Sequence, residues 1–233
     1  MGVHRRAADD QVPPQARPAL SALIWIVAAY VVGATPTSYL AGRLVRGIDL
    51  RDHGSKNLGA TNVYRILGWK YAIPVGLIDI AKGALVVLLF PRWAGPDAPT
   101  WLPVAVGGAA VLGHMFSPYV RFKGGKGVAT AAGVFLALAP VAVVVAILVW
   151  ALCLWLTGYV SLSSIIAVAS LPVWVRVIGP DSPSVFWAGV ALWALIVFAH
   201  RRNIARLVAG TENRFRTRKG PSGRPAVGEG PSE

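Results

Sequence analysis

Seven apolar stretches, each near or below the length of one membrane crossing, govern what this chain can fold into: 20–44, 71–90, 101–115, 128–139, 141–157, 160–178 and 185–199. A bilayer core needs about 20 consecutive apolar helical residues to be crossed. Only helices or closed barrels satisfy their backbone polar groups there. The pattern predicts an all-α integral membrane protein, a bundle of about seven transmembrane helices, some short or broken. The 128–139 run stops at Pro140 and, at ~1.5 Å per residue, covers little more than half of a ~30 Å core. Short or interrupted helices of this kind usually line a site or cavity.

Charge narrows the reading. The chain is 55% hydrophobic and 14% charged, yet carries a formal net charge of +13. Its cations are therefore segregated between the apolar runs. Nucleic-acid binders spread basic charge over a soluble surface, so nucleic acid is not an expected partner, whereas membrane lipids are. The single cysteine, Cys153 in "WALCLWL", excludes an internal disulfide and reads as packing. Residues 1–19 and 214–233, rich in Pro, Gly, Ser and charge, read as disordered tails flanking a membrane domain at 20–213.

Six Lys/Arg fall in 43–70, three in 121–126 and eight after His200, while "PRWAGPDAPT" and "VIGPDSPS" are nearly free of them. The positive-inside rule makes the three basic regions cytoplasmic. With seven spans this puts the N-terminus outside and the C-terminus in the cytoplasm of a multi-pass plasma (inner) membrane protein. Arg5, Arg6 and Arg17 oppose that orientation, and Asp9 and Asp10 offset part of their charge.

The first basic region, "RGIDLRDHGSKNLGATNVYRILG", sets Ser55, Asn57, Thr61 and Asn62 among glycines, with Arg51 and Arg65 on either side. Hydroxyls and amides give directional hydrogen bonds, and arginine forks match phosphate oxygens. A plain polar loop with a helix start near Thr61 or Asn62 accounts for it equally well. The second, "GHMFSPYVRFKGGKGVATA", is no nucleotide P-loop, because no Ser or Thr follows the lysine and no strand precedes it. Its Gly124, Gly125 and Gly127 lead into the short helix at Val128 and Thr130, whose N-terminal N–H groups favour an anion beside Lys123 and Lys126. Lysines reaching for lipid headgroups are the competing account, but that needs no glycine. In the third, "AHRRNIARLVAGTENRF", continued helix would put His200, Asn203 and Leu207 on one face. Taken alone, Arg201, Arg202 and Arg206 at lipid phosphates explain it better.

Together, "GSKNLGATNVYR", "GHMFSPYVRFKGGKGVAT" and "HRRNIARLVAGTE" resemble, in order and spacing, the acyl-phosphate-dependent glycerol-3-phosphate acyltransferases of bacterial membranes. The resemblance runs over about 20–215. It departs at Lys56, where the family usually has Gly, and at Ser117-Pro118, where Pro-Val is common. It implies transfer of a fatty acyl group from acyl phosphate to the 1-hydroxyl of glycerol 3-phosphate, giving lysophosphatidic acid and phosphate. Neither cofactor nor metal is implied. It assigns catalysis to Ser55, Arg65, Lys123, His200 and Asn203. Phosphate binding falls to Arg51, Asn57, Thr61, Asn62, Gly124, Gly125, Lys126, Gly127 and Thr130. The family is thought to use the substrate's own phosphate as base, and a hand-off from the enzyme that forms acyl phosphate is a further expectation. An acyl phosphate is already activated, so no covalent enzyme nucleophile is expected.

The His-x4-Asp string of other glycerol-phosphate acyltransferases occurs as His4–Asp9, in the expected tail. Asp79 and Lys82, three apart in an apolar run, can pair on one helix face, as structure or as function. A transporter for a phosphorylated solute is the alternative from another class. It would normally show an inverted repeat, which the sequence lacks.

Overall fold

The computed structural model describes residues 16–215; the His4–Asp9 string and most of both expected tails lie outside them. Every apolar run folds as helix. The first divides into α1 (Ala16–Ala34) and α2 (Thr37–Arg46), because Pro36 has no N–H and restricts Thr35. The helix α1 thus begins four residues before the expected domain start. A short amphipathic helix, α3 (Ala60–Leu67), precedes α4 (Trp69–Ala94) and α5 (Leu102–Met115). A 3-10 turn at Pro118–Val120 leads to α6 (Val128–Leu138), and α7 (Pro140–Thr157), α8 (Val160–Ile178), α9 (Pro183–Ala199) and α10 (Arg201–Val208) follow.

Four stretches among the described residues are long and apolar enough to cross a membrane: Leu20–Arg46, α4, α7 and α8. A fifth results if α9 and α10, bent by 61° from one another, count as one broken span. The 14 residues of α5 and 11 of α6 are too few for a full crossing. The seven expected spans are therefore seven apolar helical segments, but not seven full-length crossings.

Lipid gives apolar helices no hydrophobic reason to associate, so small residues that permit backbone contact hold such bundles together. Two glycine seams do so here. Gly33 of α1 lies on the Ala110 carbonyl and Gly113 of α5 on the Tyr30 carbonyl, with no space for a Cβ. Gly83 of α4 and the Thr130 carbonyl, with Gly133 of α6 and the Ile80 carbonyl, repeat the arrangement. The main core, including Val86, Val106, Phe135 and Ile196, fills the space around these seams. A separate small core of Leu50, Leu58, Val63, Leu67, Val75 and Val120 pins the first polar loop to the second.

Candidate functional site

The first loop is built on Asn62, which is 1% exposed. Its amide nitrogen donates to the carbonyls of Leu50 (2.9 Å) and His53 (3.1 Å), and its oxygen accepts from Ser55 N–H at 2.8 Å. The structure thus uses this side chain inside the loop. Arg51 is similarly engaged: it grips both Asp49 carboxylate oxygens and donates to the Val120 carbonyl at 2.7 Å, tying the first loop to the second. The Arg51 hydrogen bond holds the Asp49 carboxyl below its ordinary range. Lys56, where glycine is common in the family pattern, adopts φ 57°, a left-handed conformation. The departure noted in the sequence therefore falls where glycine has a conformational advantage.

The second loop folds back on the end of α5. Gly124 N–H donates to the Met115 carbonyl (3.0 Å) and Gly125 N–H to the His114 carbonyl (3.1 Å). A Cβ on Gly125 would overlap the His114 ring and the Leu58 carbonyl. These two glycines permit close approach within the protein, and their N–H groups are already taken. At the start of α6, by contrast, no backbone carbonyl among the described residues accepts from Gly127, Val128 or Ala129. Those N–H groups remain for an anion.

In the third region the helix does not continue through His200. It bends there, and His200 Nδ1 donates to the Ile196 carbonyl at 2.8 Å, which leaves Nε2 of a neutral ring as an acceptor. Asn203 accepts from Lys126 through its oxygen and donates to Glu212 at 2.6 Å through its nitrogen. Glu212 also accepts from Ser161 (2.8 Å) and Arg206 (2.6 Å). After Glu212 the chain forms a strap across α3 and the α7–α8 turn: Arg214 lies 5.1 Å over the Tyr159 ring, Phe215 N–H donates to the Gly158 carbonyl, and its ring stacks on Tyr64 at 5.0 Å.

All three regions line one cavity of about 1220 Å³. Every expected site residue lines it except Thr130, which is fully buried with its hydroxyl unpartnered. Ser55, Asn57, Thr61, Arg65, Lys123 and Lys126 form the polar end; Val143, Ile147, Trp150, Ala167, Leu171 and Leu192 form an apolar wall from α7, α8 and α9. Among the described residues no carboxylate or carbonyl is bonded to the side chain of Arg65 or Lys123. Burial, with Arg206 and Arg65 nearby, lowers Lys126 to about 8 against the pull of Glu212. Burial lowers Arg65 too, opposed by Glu212. Glu212 itself stays below its usual range through Asn203, Ser161 and Arg206, in spite of its burial.

Sequence reasoning missed Glu212, Ser161, His114 and a structural role for Arg206. Glu212 sat in plain view in the third motif, but nine residues past Asn203 it lies beyond any helical spacing rule. Ser161 was hidden in an apolar run.

A cationic, hydrogen-bonding end joined to an apolar wall, inside a helical membrane bundle, has the shape and charge to suit an anion attached to an apolar chain. The family model described as glycerol-3-phosphate acyltransferase matches residues 23–210. The glycerol-3-phosphate acyltransferase of Trichlorobacter lovleyi is 47% identical over 194 residues, 83% of this chain and 97% of the relative. That of Desulforudis audaxviator is 46% identical over 203 residues, 86% and 99% of the two chains. Among solved structures, PlsY (YgiH), an integral membrane glycerol 3-phosphate acyltransferase in its glycerol 3-phosphate form, is similar with TM-score 0.78 at 40% identity. The match covers 84% of this chain and 96% of that one. Its lysophosphatidic acid form gives 0.75 at 39%, covering 83% and 95%. The chain belongs to the glycerol-3-phosphate acyltransferase family.

Proposed function

We propose that this enzyme transfers an acyl group from acyl phosphate to the 1-hydroxyl of glycerol 3-phosphate, at the cytoplasmic face of the plasma membrane, without an acyl-enzyme. The observation that carries the reading is a cavity in which a cationic end meets an apolar wall. Such a shape suits a donor with a phosphate head and a hydrocarbon tail, together with a small phosphate-bearing acceptor. Arg65, Lys123, Lys126 and the open N–H groups of α6 bring two anions together against their repulsion. Ser55 offers a hydroxyl to the phosphate oxygens, and Asn203 holds Lys126 in place. His200 Nε2 accepts the hydrogen bond of the glycerol hydroxyl and aims its oxygen at the acyl carbon. That oxygen forms the new ester bond, the acyl–phosphate bond breaks with its electrons on the leaving phosphate, and the hydroxyl proton ends on phosphate. Cys153 is buried on α7, outside the cavity lining, and is not needed as a nucleophile.

The test is turnover by the detergent-purified chain. Release of phosphate and formation of lysophosphatidic acid in equal amounts, only when both substrates are present, is expected. Radiolabelled acyl phosphate given without acceptor should leave no label on the denatured chain. Stoichiometric label that glycerol 3-phosphate chases off would overturn the direct transfer.

A further inference from the structure

Behind the glycine loop lies a buried polar cluster that the proposed transfer chemistry does not use. Asp79 and Lys82 on α4 are 2% and 6% exposed, and His114 at the end of α5 and Thr37 at the start of α2 are also buried. Lys82 Nζ lies 2.8 Å from Asp79 Oδ1, 3.1 Å from the Thr35 carbonyl and 2.9 Å from His114 Nδ1. Asp79 Oδ1 also accepts from the Thr37 hydroxyl at 2.7 Å. An ammonium has three donors and no acceptor. Three partners use all three, so His114 Nδ1 is an acceptor and the ring proton sits on Nε2. That edge of the ring lies against Gly125, while the carbonyls of His114 and Met115 hold the N–H groups of Gly125 and Gly124. The cluster therefore links the α1–α2 break, α4 and the end of α5 to the segment that carries Lys123 and Lys126.

Such a cluster is not required to hold the bundle together. The glycine seams already lock α4 to α6 and α1 to α5, and replacing a buried ion pair by apolar side chains is often neutral for stability. Ionisable groups at this depth are costly and tend to serve function.

We infer that Thr37, Asp79, Lys82 and His114 are positioning residues that set the backbone of 124–127, and with it Lys123, Lys126 and the open N–H groups of α6, against the cavity. This rests on the phosphate-binding reading of that loop. Asp79 and His114 also border the cavity; the cluster acts on the loop through the His114 ring and carbonyl.

Two sets of variants test it, both read by thermal unfolding in detergent, by Michaelis constants for both substrates, and by the mobility of a nitroxide spin label. The label is placed at Lys123→Cys in a Cys153→Ser background, in parallel samples not used for kinetics. The double variant Asp79→Leu/Lys82→Met should unfold within a few degrees of the parent. Its label should gain mobility, and at least one Michaelis constant should rise about tenfold or more, with a smaller change in kcat. His114→Gln, which keeps an N–H near the Nε2 position, should retain activity and label order that His114→Leu loses. An unaltered spectrum and unaltered constants in a folded double variant would overturn the inference. So would equal behaviour of the two His114 variants, which decides the matter if the double variant does not fold. The spin-label comparison stands even if the parent shows no acyl transfer, so the two readings fail separately.

Discussion

Lys56 is held at φ 57°, a conformation that costs a residue with a Cβ roughly 1–2 kcal/mol. Lys56→Gly should therefore raise stability by about 1 kcal/mol, seen as a higher midpoint in thermal unfolding, with kcat/KM unchanged. A rise in either Michaelis constant would instead show that its ammonium meets substrate at the mouth. The sequence exposed this position only as a departure from a family pattern; the backbone angle supplies the reason glycine is common there. Lys126 gives a pH prediction. With its value at about 8, kcat/KM should fall as pH rises through about 8, because the neutral amine no longer attracts phosphate. Between about 8 and the ordinary 10.5 the unfolded chain binds this proton more tightly than the folded one, so the residue's contribution to stability rises with pH over the same window. Lys126→Arg, which keeps its charge, should lose the alkaline limb of the profile; a limb left in place would assign it to another group.

Within α5 two glycines have opposite surroundings. Gly113 presses on the Tyr30 carbonyl, whereas an added Cβ at Gly108 meets nothing within 4 Å. Gly113→Ala should destabilise by about 1–3 kcal/mol through forced separation of α1 and α5. Gly108→Ala should be neutral or slightly stabilising from helix propensity alone. Thermal unfolding of the two purified variants side by side checks this, and equal midpoints would remove the seam as a source of stability. The helices were legible in the sequence because hydrophobic runs end at Pro140, Gly158 and similar breakers. The bend at His200 was not: "FAHRRN" holds neither Pro nor Gly, so a periodic reading carries α9 straight on. Only tertiary partners, Lys126 and Glu212 on Asn203, mark where α10 turns.

At the scale of the molecule, three motifs spread over more than half of the chain meet at one cavity, and the proposed orientation puts all three on the cytoplasmic side. Single cysteines at Lys56, Lys123 and Asn213 in a Cys153→Ser background should react with an impermeant reagent only from the cytoplasmic side, and ones at Asp97 and Asp181 only from outside. Gly125 is unsuitable for such a probe, since it has no space for a side chain. Labelling of Lys56→Cys from outside intact cells would reverse the proposed orientation. The meeting of these motifs was legible because each carries phosphate-suited chemistry on a basic loop. How the loops are wired was not: Asn62 and Arg51, read as ligands of phosphate, also bond backbone groups and a carboxylate supplied by the fold. The strap at Arg214 and Phe215 bears on how the enzyme can be handled. Its contacts, on Tyr159, Gly158 and Tyr64, tie this segment to the α7–α8 turn and to α3, close in sequence to the cavity-lining Ser161 and Arg65, so anything fused directly after Phe215 is held beside the cavity. A reporter or affinity handle is better joined ahead of α1 or behind a long spacer.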